Sequence, residues 1–466
     1  MKLKSIGLGL AAAALLAACD SPLDTNPTST IPANEALDTP QELGVAVNGL
    51  YDAYQDNGVD FGRNLLIFPE LYADNLGFFD TYVSDEEVYL LDVNSTNTGV
   101  AGLWRGAYDG INRANEILAA IPKVEALSDA DADQYRGEAL FVRAHMYFIL
   151  AQFFGGVPLV ETPTQSIPTP QQAEIARSTL AQTYALVERD LKEARGLLDE
   201  PLFAGRAGYY AATALLARLN LYTADYTEAY AFSDEVISQG PYQLVSDYAA
   251  NWRNKNGPES ILEVQYTVND PSSFAGWLNY GGRYSFAPSA DLAAAYPFAD
   301  EERYSLVVSE SPNGAAYVGK YFRIENGDDN FILLRLAEQY LIRSEAAARL
   351  NNLDDAIADI NTIRARVDCA LDPDDEGYDE ECMDGHLAPL SDDIDTRNEV
   401  LVANLEERRR ELALEGHRFF DLRRLRDVPD IGEYVEALYG NEFRLLFPIP
   451  QTELDANELL TQNPGY

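Results

Sequence analysis

The chain of 466 residues is 47% hydrophobic and 24% charged, an ordinary globular balance that excludes a wholly disordered, collagen-like or coiled-coil protein. At roughly 100–200 residues per domain it has room for about two to four domains, or for one large helical body with insertions. Its 76 acidic and 34 basic side chains leave a formal charge of −42, a field that repels phosphate backbones and excludes nucleic acid as a partner.

Only 6 of the basic residues are Lys, and the acids are spread along the whole chain. Acid excess with scarce Lys is the pattern of a halophilic surface, where concentrated salt screens the repulsion. A site for cations or basic substrates is the alternative.

The N-terminus reads as an address. Met1–Lys4 carries two positive charges, Ser5–Ala18 is apolar, and Leu16-Ala17-Ala18-Cys19 closes the run with small residues before a cysteine. Residues 1–18 are a signal peptide, too short to span a bilayer. The ending resembles the lipobox of bacterial lipoproteins, which implies lipidation of Cys19 and membrane attachment through that anchor only; ordinary cleavage beside a chance cysteine is the alternative. Removing residues 1–18 deletes two Lys and no acids, so the mature charge is 32 − 76 = −44. Of the remaining cysteines, Cys369 and Cys382 lie in a Gly/Pro/Asp-rich stretch of an exported chain and are expected to pair, contributing about 3 kcal/mol in the chain-entropy model. His145, His386 and His417 lie far apart in sequence, so no zinc site and no metal cofactor is expected.

Residues 19–38 read as a tether and 39–466 as a single domain. Apolar positions at three- and four-residue spacing predict helices over 39–56, 104–121, 134–154, 171–199, 207–223 and 225–239. Residues 207–239 form a helical hairpin with its turn at Ala224-Asp225, and residues 333–367 repeat the scheme around Asn351-Asn352, with Ala356 and Ile357 on the packing face. Such units resemble tetratricopeptide repeats. The expected fold is mainly α, a tetratricopeptide-like helical-hairpin scaffold with a loop-rich, partly β, ligand-bearing insertion. The loop-rich stretches are 57–103 and 241–330, the latter with short β-like runs such as Ile261–Tyr266.

The chemistry-bearing motifs of common enzymes are missing: no G-x-S-x-G, no H-E-x-x-H and no phosphate-cradling glycine loop. No catalytic residue and no cofactor is assigned, although a carboxylate pair of a glycoside hydrolase would leave no signature among 76 acids. Two aromatic windows in the loop-rich stretches suit sugar capture, which needs flat apolar rings beside hydroxyl partners. Residues 72–82 supply Asp74, Asn75, Phe78, Phe79 and Tyr82; residues 274–286 supply Trp277, Asn279, Tyr280, Arg283 and Tyr284. Buried packing is the alternative for each ring. The Arg-rich helix 406–427 holds seven Arg and six acids, and Arg410, Glu411, Glu415 and Arg418 stand at helical spacings that favour internal ion pairs. His145 and His417 are read as packed or capping residues. Residues 372–383 imitate a calcium loop with Asp372, Asp374, Glu376 and Gly377, but Met383 replaces the terminal Glu, and a solvated acidic loop is the better reading.

Several segments resemble one family. Residues 135–160 (YRGEALFVRAHMYFILAQFFGGVPLV), 406–423 (EERRRELALEGHRFFDLR) and 447–466 (FPIPQTELDANELLTQNPGY), with the lipobox, Leu23-Asp24, Pro27 and the hairpins, are similar to the SusD/RagB family of outer-membrane nutrient-binding lipoproteins. The resemblance implies a non-catalytic lipoprotein on the bacterial outer membrane, at the cell surface. It would capture an oligosaccharide or peptide and pass it to a TonB-dependent, SusC-like transporter. No individual ligand position carries over, because the two aromatic windows match no family motif. A helical-repeat protein-interaction scaffold is the alternative.

Overall fold

The structure, a computed structural model, describes residues 37–55, 60–164, 175–200, 204–297, 301–367, 382–383, 386–391 and 393–466. The expected lipidation at Cys19, the Cys369–Cys382 disulfide and the acidic loop 372–383 lie outside the described side chains. The longer helices are α1 (Pro40–Leu50), α2 (Phe61–Leu71), α3 (Thr98–Ala120), α4 (Asp129–Phe154), α5 (Leu180–Leu197), α6 (Tyr209–Tyr222) and α7 (Tyr226–Gln239). After the insertion come α8 (Leu336–Arg349), α9 (Leu353–Arg364), α10 (Arg397–Glu411), α11 (Arg418–Arg424) and α12 (Pro429–Tyr439). Among the described residues no helix is long and apolar enough to cross a membrane.

Local chemistry sets the helix starts. The Thr39 hydroxyl accepts the Glu42 amide at 3.2 Å while the Glu42 carboxylate accepts the Thr39 amide at 3.0 Å, with Pro40 at the first helical position. The same reciprocal box opens α5 at Thr179 and α10 at Thr396. Each helix then packs on its chain neighbour: α3 on α4, α4 on α5, α5 on α6, α6 on α7. Helix α7 packs on α8, across the intervening insertion, and α8 packs on both α9 and α10. The stack is the expected mainly α, hairpin-built scaffold.

Helix α4 is its centre. Gly137 to Phe154 are all buried, so the polar members of that run need internal partners. Arg143 donates to Asp190 at 2.7 Å and to Asn115 at 2.9 Å, Glu138 accepts from Arg206 and Tyr51 at 2.6 Å each, and His145 Nδ1 lies 2.9 Å from Tyr54 Oη. The helix ends at Gly155, whose φ of +79° suits glycine, and a Cβ on Gly156 would meet the Ser178 carbonyl oxygen at 2.0 Å.

Four expectations change. Of the predicted helix 171–199, residues 171–174 lie outside the described residues, 175–179 are not helical, and the helix runs over Leu180–Leu197 behind its cap Thr179. Residues 333–335 are not helical: they end strand β4 (Phe331–Arg335), which pairs antiparallel with β2 (Ser260–Val264), and this pairing draws the two ends of the insertion together. The stretch 57–103 holds α2, every residue of which is buried, so no polar face marks a helical period. The acids and bases of 406–427 do not chiefly pair with one another. Glu411 and Glu415 accept from Arg335 at 2.6 and 2.7 Å, Lys320 reaches Glu415 at 2.8 Å, and Arg303 reaches Glu407 at 2.5 Å. With Arg364, Glu259 and Glu301, four buried cations and the half-buried Arg366 face five buried carboxylates, and the network bolts the insertion to α10.

Candidate functional site

The two aromatic windows, some two hundred residues apart, meet through a two-stranded sheet. Strand β1 (Leu76–Phe78) pairs antiparallel with β3 (Phe286–Pro288), Phe78 opposite Phe286, and the Phe79 amide extends the ladder to the Ser285 carbonyl at 2.9 Å. Side chains just beyond the paired residues therefore share one patch of surface. Phe79 is 67% exposed, Tyr82 43% and Tyr280 42%. The rings of Phe79 and Tyr284 lie nearly parallel, 13° apart with centroids at 6.4 Å, and Tyr280 stands edge-on to Tyr284 at 6.0 Å.

Tyr284 adopts a φ of +57°, a conformation that costs a bulky L-residue about 1–2 kcal/mol. Its hydroxyl donates to the Ala316 carbonyl at 2.5 Å and its amide to the Gly276 carbonyl at 3.2 Å, which hold the ring in place, and burial raises its phenol pKa. Asn279 closes the local turn by accepting the Gly281 amide at 3.2 Å. The exposed Ile324 borders the patch at Gly281, over which it lies.

A charged clasp crosses the seam between the windows. Arg283 donates to Asp80 through Nε at 2.5 Å and Nη2 at 3.1 Å, and to the Tyr82 hydroxyl through Nη1 at 2.9 Å. Asp80 also accepts the Ser285 hydroxyl at 2.5 Å and the Thr81 amide at 2.7 Å. The hydrogen bond from Arg283, then that from Ser285, hold the Asp80 carboxyl well below the usual carboxylate range. The Arg283 guanidinium lies 4.2 Å from the Tyr82 ring centroid and 5.0 Å from that of Trp277. Trp277 also carries the buried Arg63 at 4.2 Å and touches Tyr82 edge-on at 5.4 Å, so it acts as a support for the patch.

Three of the predicted residues sit elsewhere. Phe78 is half-buried against Phe286 and Tyr89, beneath the patch. Asp74 is buried and accepts from Arg418 at 2.7 and 2.9 Å, from Arg409 at 2.9 Å and from the Tyr434 hydroxyl at 2.7 Å. Burial alone would raise its carboxyl, but the Arg418 contacts outweigh it and hold the pKa at about 2. Asn75 is buried too, donating to Glu70 at 2.6 Å and accepting from Arg409 at 3.0 Å. These two tie β1 to α10 and α11. Asp80 stands in the first window as one of the polar groups among its rings, whereas nothing local in the sequence distinguishes Ser285 from any other loop hydroxyl.

The patch is an open, mostly apolar shelf crossed by a paired polar seam; it offers ring faces and a few phenol hydroxyls. The family pattern described as the SusD family matches residues 300–466, and the one described as starch-binding associating with outer membrane matches residues 23–221. SusD-like protein P38 of Formosa agariphila is 24% identical over 97% of this chain and 96% of its own. A SusD superfamily protein of Bacteroides vulgatus superposes with a TM-score of 0.77 at 23% identity, covering 91% of this chain and 99% of its own. A laminarin binding SusD-like protein does so at 0.74 and 24% identity, over 92% and 100%. With two family patterns on the N- and C-terminal parts and full-length relatives between them, the chain belongs to the SusD/RagB family.

Proposed function

We propose that this protein is a cell-surface, lipid-anchored glycan-capture protein of a bacterial outer membrane, acylated at Cys19, that passes its ligand to a TonB-dependent transporter and performs no chemistry on it. The observation that carries the reading is the shelf of exposed Phe79, Tyr82 and Tyr280 with the half-buried Tyr284, assembled by the β1–β3 pairing from both loop stretches. Pyranose rings present C–H faces that pack on such rings, and their hydroxyls take the Tyr and Asn groups at the edge. The family description as starch-binding and associating with outer membrane, and the similar laminarin binding protein, support both the ligand class and the compartment. An open shelf suits an internal segment of a long polymer better than a closed pocket does.

Isothermal titration of the mature chain in high salt against soluble oligosaccharides, beside a peptide digest, tests this. Saturable sugar binding that weakens in Phe79→Ala and Tyr280→Ala is the expected result. Heat from peptides alone would change the cargo, and silence toward both would overturn the reading in favour of a protein-interaction scaffold.

A further inference from the structure

The polar seam of the shelf carries its own specificity. Each guanidinium that touches the shelf's rings already holds a carboxylate. Arg283 spends Nε and Nη2 on Asp80 and Nη1 on Tyr82. Arg63, against Trp277 and Phe286, is buried and bound to Asp85 at 2.5 and 3.2 Å. Arg323, beside the bordering Ile324 and over Phe322 at 4.6 Å, binds Asp329 at 2.9 Å and the Trp252 and Arg253 carbonyls. Asp80 is equally occupied, by Arg283, Ser285 and Thr81. An arriving carboxylate or sulfate would meet, at the exposed Arg283, a cation already neutralised by Asp80 with only one N–H each of Nη1 and Nη2 left to offer, under the field of a chain with a formal charge of −42.

Resting on the glycan-capture reading above, we propose that the shelf takes an uncharged glycan whose rings bear equatorial hydroxyls and apolar axial C–H faces, and that the Asp80–Arg283 clasp excludes uronate and sulfated glycans. Phe79 and Tyr280 supply the free ring faces. Trp277 and Tyr82, already covered in part by guanidinium, hold those faces in register. A neutral ligand needs no counter-charge, so the clasp stays closed while it binds. An anionic ligand meets a closed clasp and a repelling surface.

The test titrates the mature chain with a neutral gluco-oligosaccharide, an oligogalacturonate and a sulfated galactan oligosaccharide at about 0.1 and 1 M salt, where the screening length falls from about 10 to 3 Å. High salt removes long-range repulsion, so discrimination that survives there is local. The expected result is binding of the neutral ligand alone, in both salts, weakened in Phe79→Ala. Asp80→Asn frees the Arg283 fork and should gain oligogalacturonate affinity by about tenfold or more, the worth of hydrogen bonds to a charged group. The gain should vanish in the Asp80→Asn/Arg283→Gln double variant, and melting curves of each variant report that it is folded. Oligogalacturonate binding by the unaltered protein, as tight as the neutral ligand and lost in Phe79→Ala, would overturn the neutral selection while leaving glycan capture standing. Neutral binding with no gain in Asp80→Asn would overturn the clasp as its cause. If no glycan of any class binds the unaltered protein, capture itself fails, and the selection with it.

Discussion

Replacing Asp74 with Asn keeps its size and removes its charge, leaving Arg409 and Arg418 buried around a neutral amide. Both guanidiniums, and the Tyr434 hydroxyl, are within 2.9 Å of the Asp74 carboxylate, and Arg418 is only 5% exposed. Breaking such a pair costs about 3–5 kcal/mol, because an uncompensated buried charge remains. For a folded body of roughly 430 residues, at about 2.1 cal/mol/K per residue, the unfolding entropy is about 0.9 kcal/mol/K, so the melting temperature should fall by about 3–5 °C. The assay is a thermal melt of the mature Asp74→Asn protein beside the unaltered one, with glycan titration of both at a temperature where both are folded. Affinity should stay within about twofold, since the carboxylate faces α10, α11 and α12 and not the shelf. An unchanged melting temperature together with a tenfold loss of affinity would refute the reasoning and return Asp74 to the ligand site.

The exposed and supporting rings should separate in the same two assays. Phe79→Ala should leave the melt unchanged and weaken glycan binding by about 1–2 kcal/mol, roughly 5–30-fold, as expected for about 40–80 Å² of apolar contact. Trp277→Ala should lower stability by about 3 kcal/mol, because it leaves a gap between Arg63 and Arg283, and a normal melt for it would count against the supporting role. His145 is buried beside Tyr54 and against Arg218, in the wall of a cavity of about 60 Å³; burial first, then Arg218, lowers its pKa from 6.5 to about 3. The unfolded chain therefore binds a proton below pH 6.5 that the fold refuses, and stability falls with pH from 6.5 towards 3. Between pH 7 and 5 this amounts to about 2 kcal/mol, and His145→Gln should flatten that part of the melting-temperature profile. Ala224, in the α6–α7 turn, sits at a φ of +58°; Ala224→Gly should raise stability by about 0.5–1 kcal/mol, measured by denaturant midpoint, and a loss would refute the strain.

What the chain determined by itself was local. Amphipathic spacing placed α6, α7, α8 and α9, Thr39 marked the first helix start, and the Asn351-Asn352 pair marked a turn whose first residue takes a φ of +62°. Aromatic density in 72–82 and 274–286 located the two windows, since rings in a polar loop stand out in composition alone. Helix α2 stayed hidden because burial on all sides erases the period that reveals a helix. Only the tertiary structure decided which window residues share a surface: the β1–β3 register turns Phe79 outward and seats Phe78 against Phe286, while Asp74 and Asn75 go to α10 and α11. It alone decided, too, that Glu411 and Glu415 would pair with Arg335 and not within their own segment. Helical and turn preferences act over a few residues and are written in sequence order. Charge pairing and ring exposure depend on distance in space, which is set when segments such as Asp74 and Arg418, 344 residues apart, fold against each other.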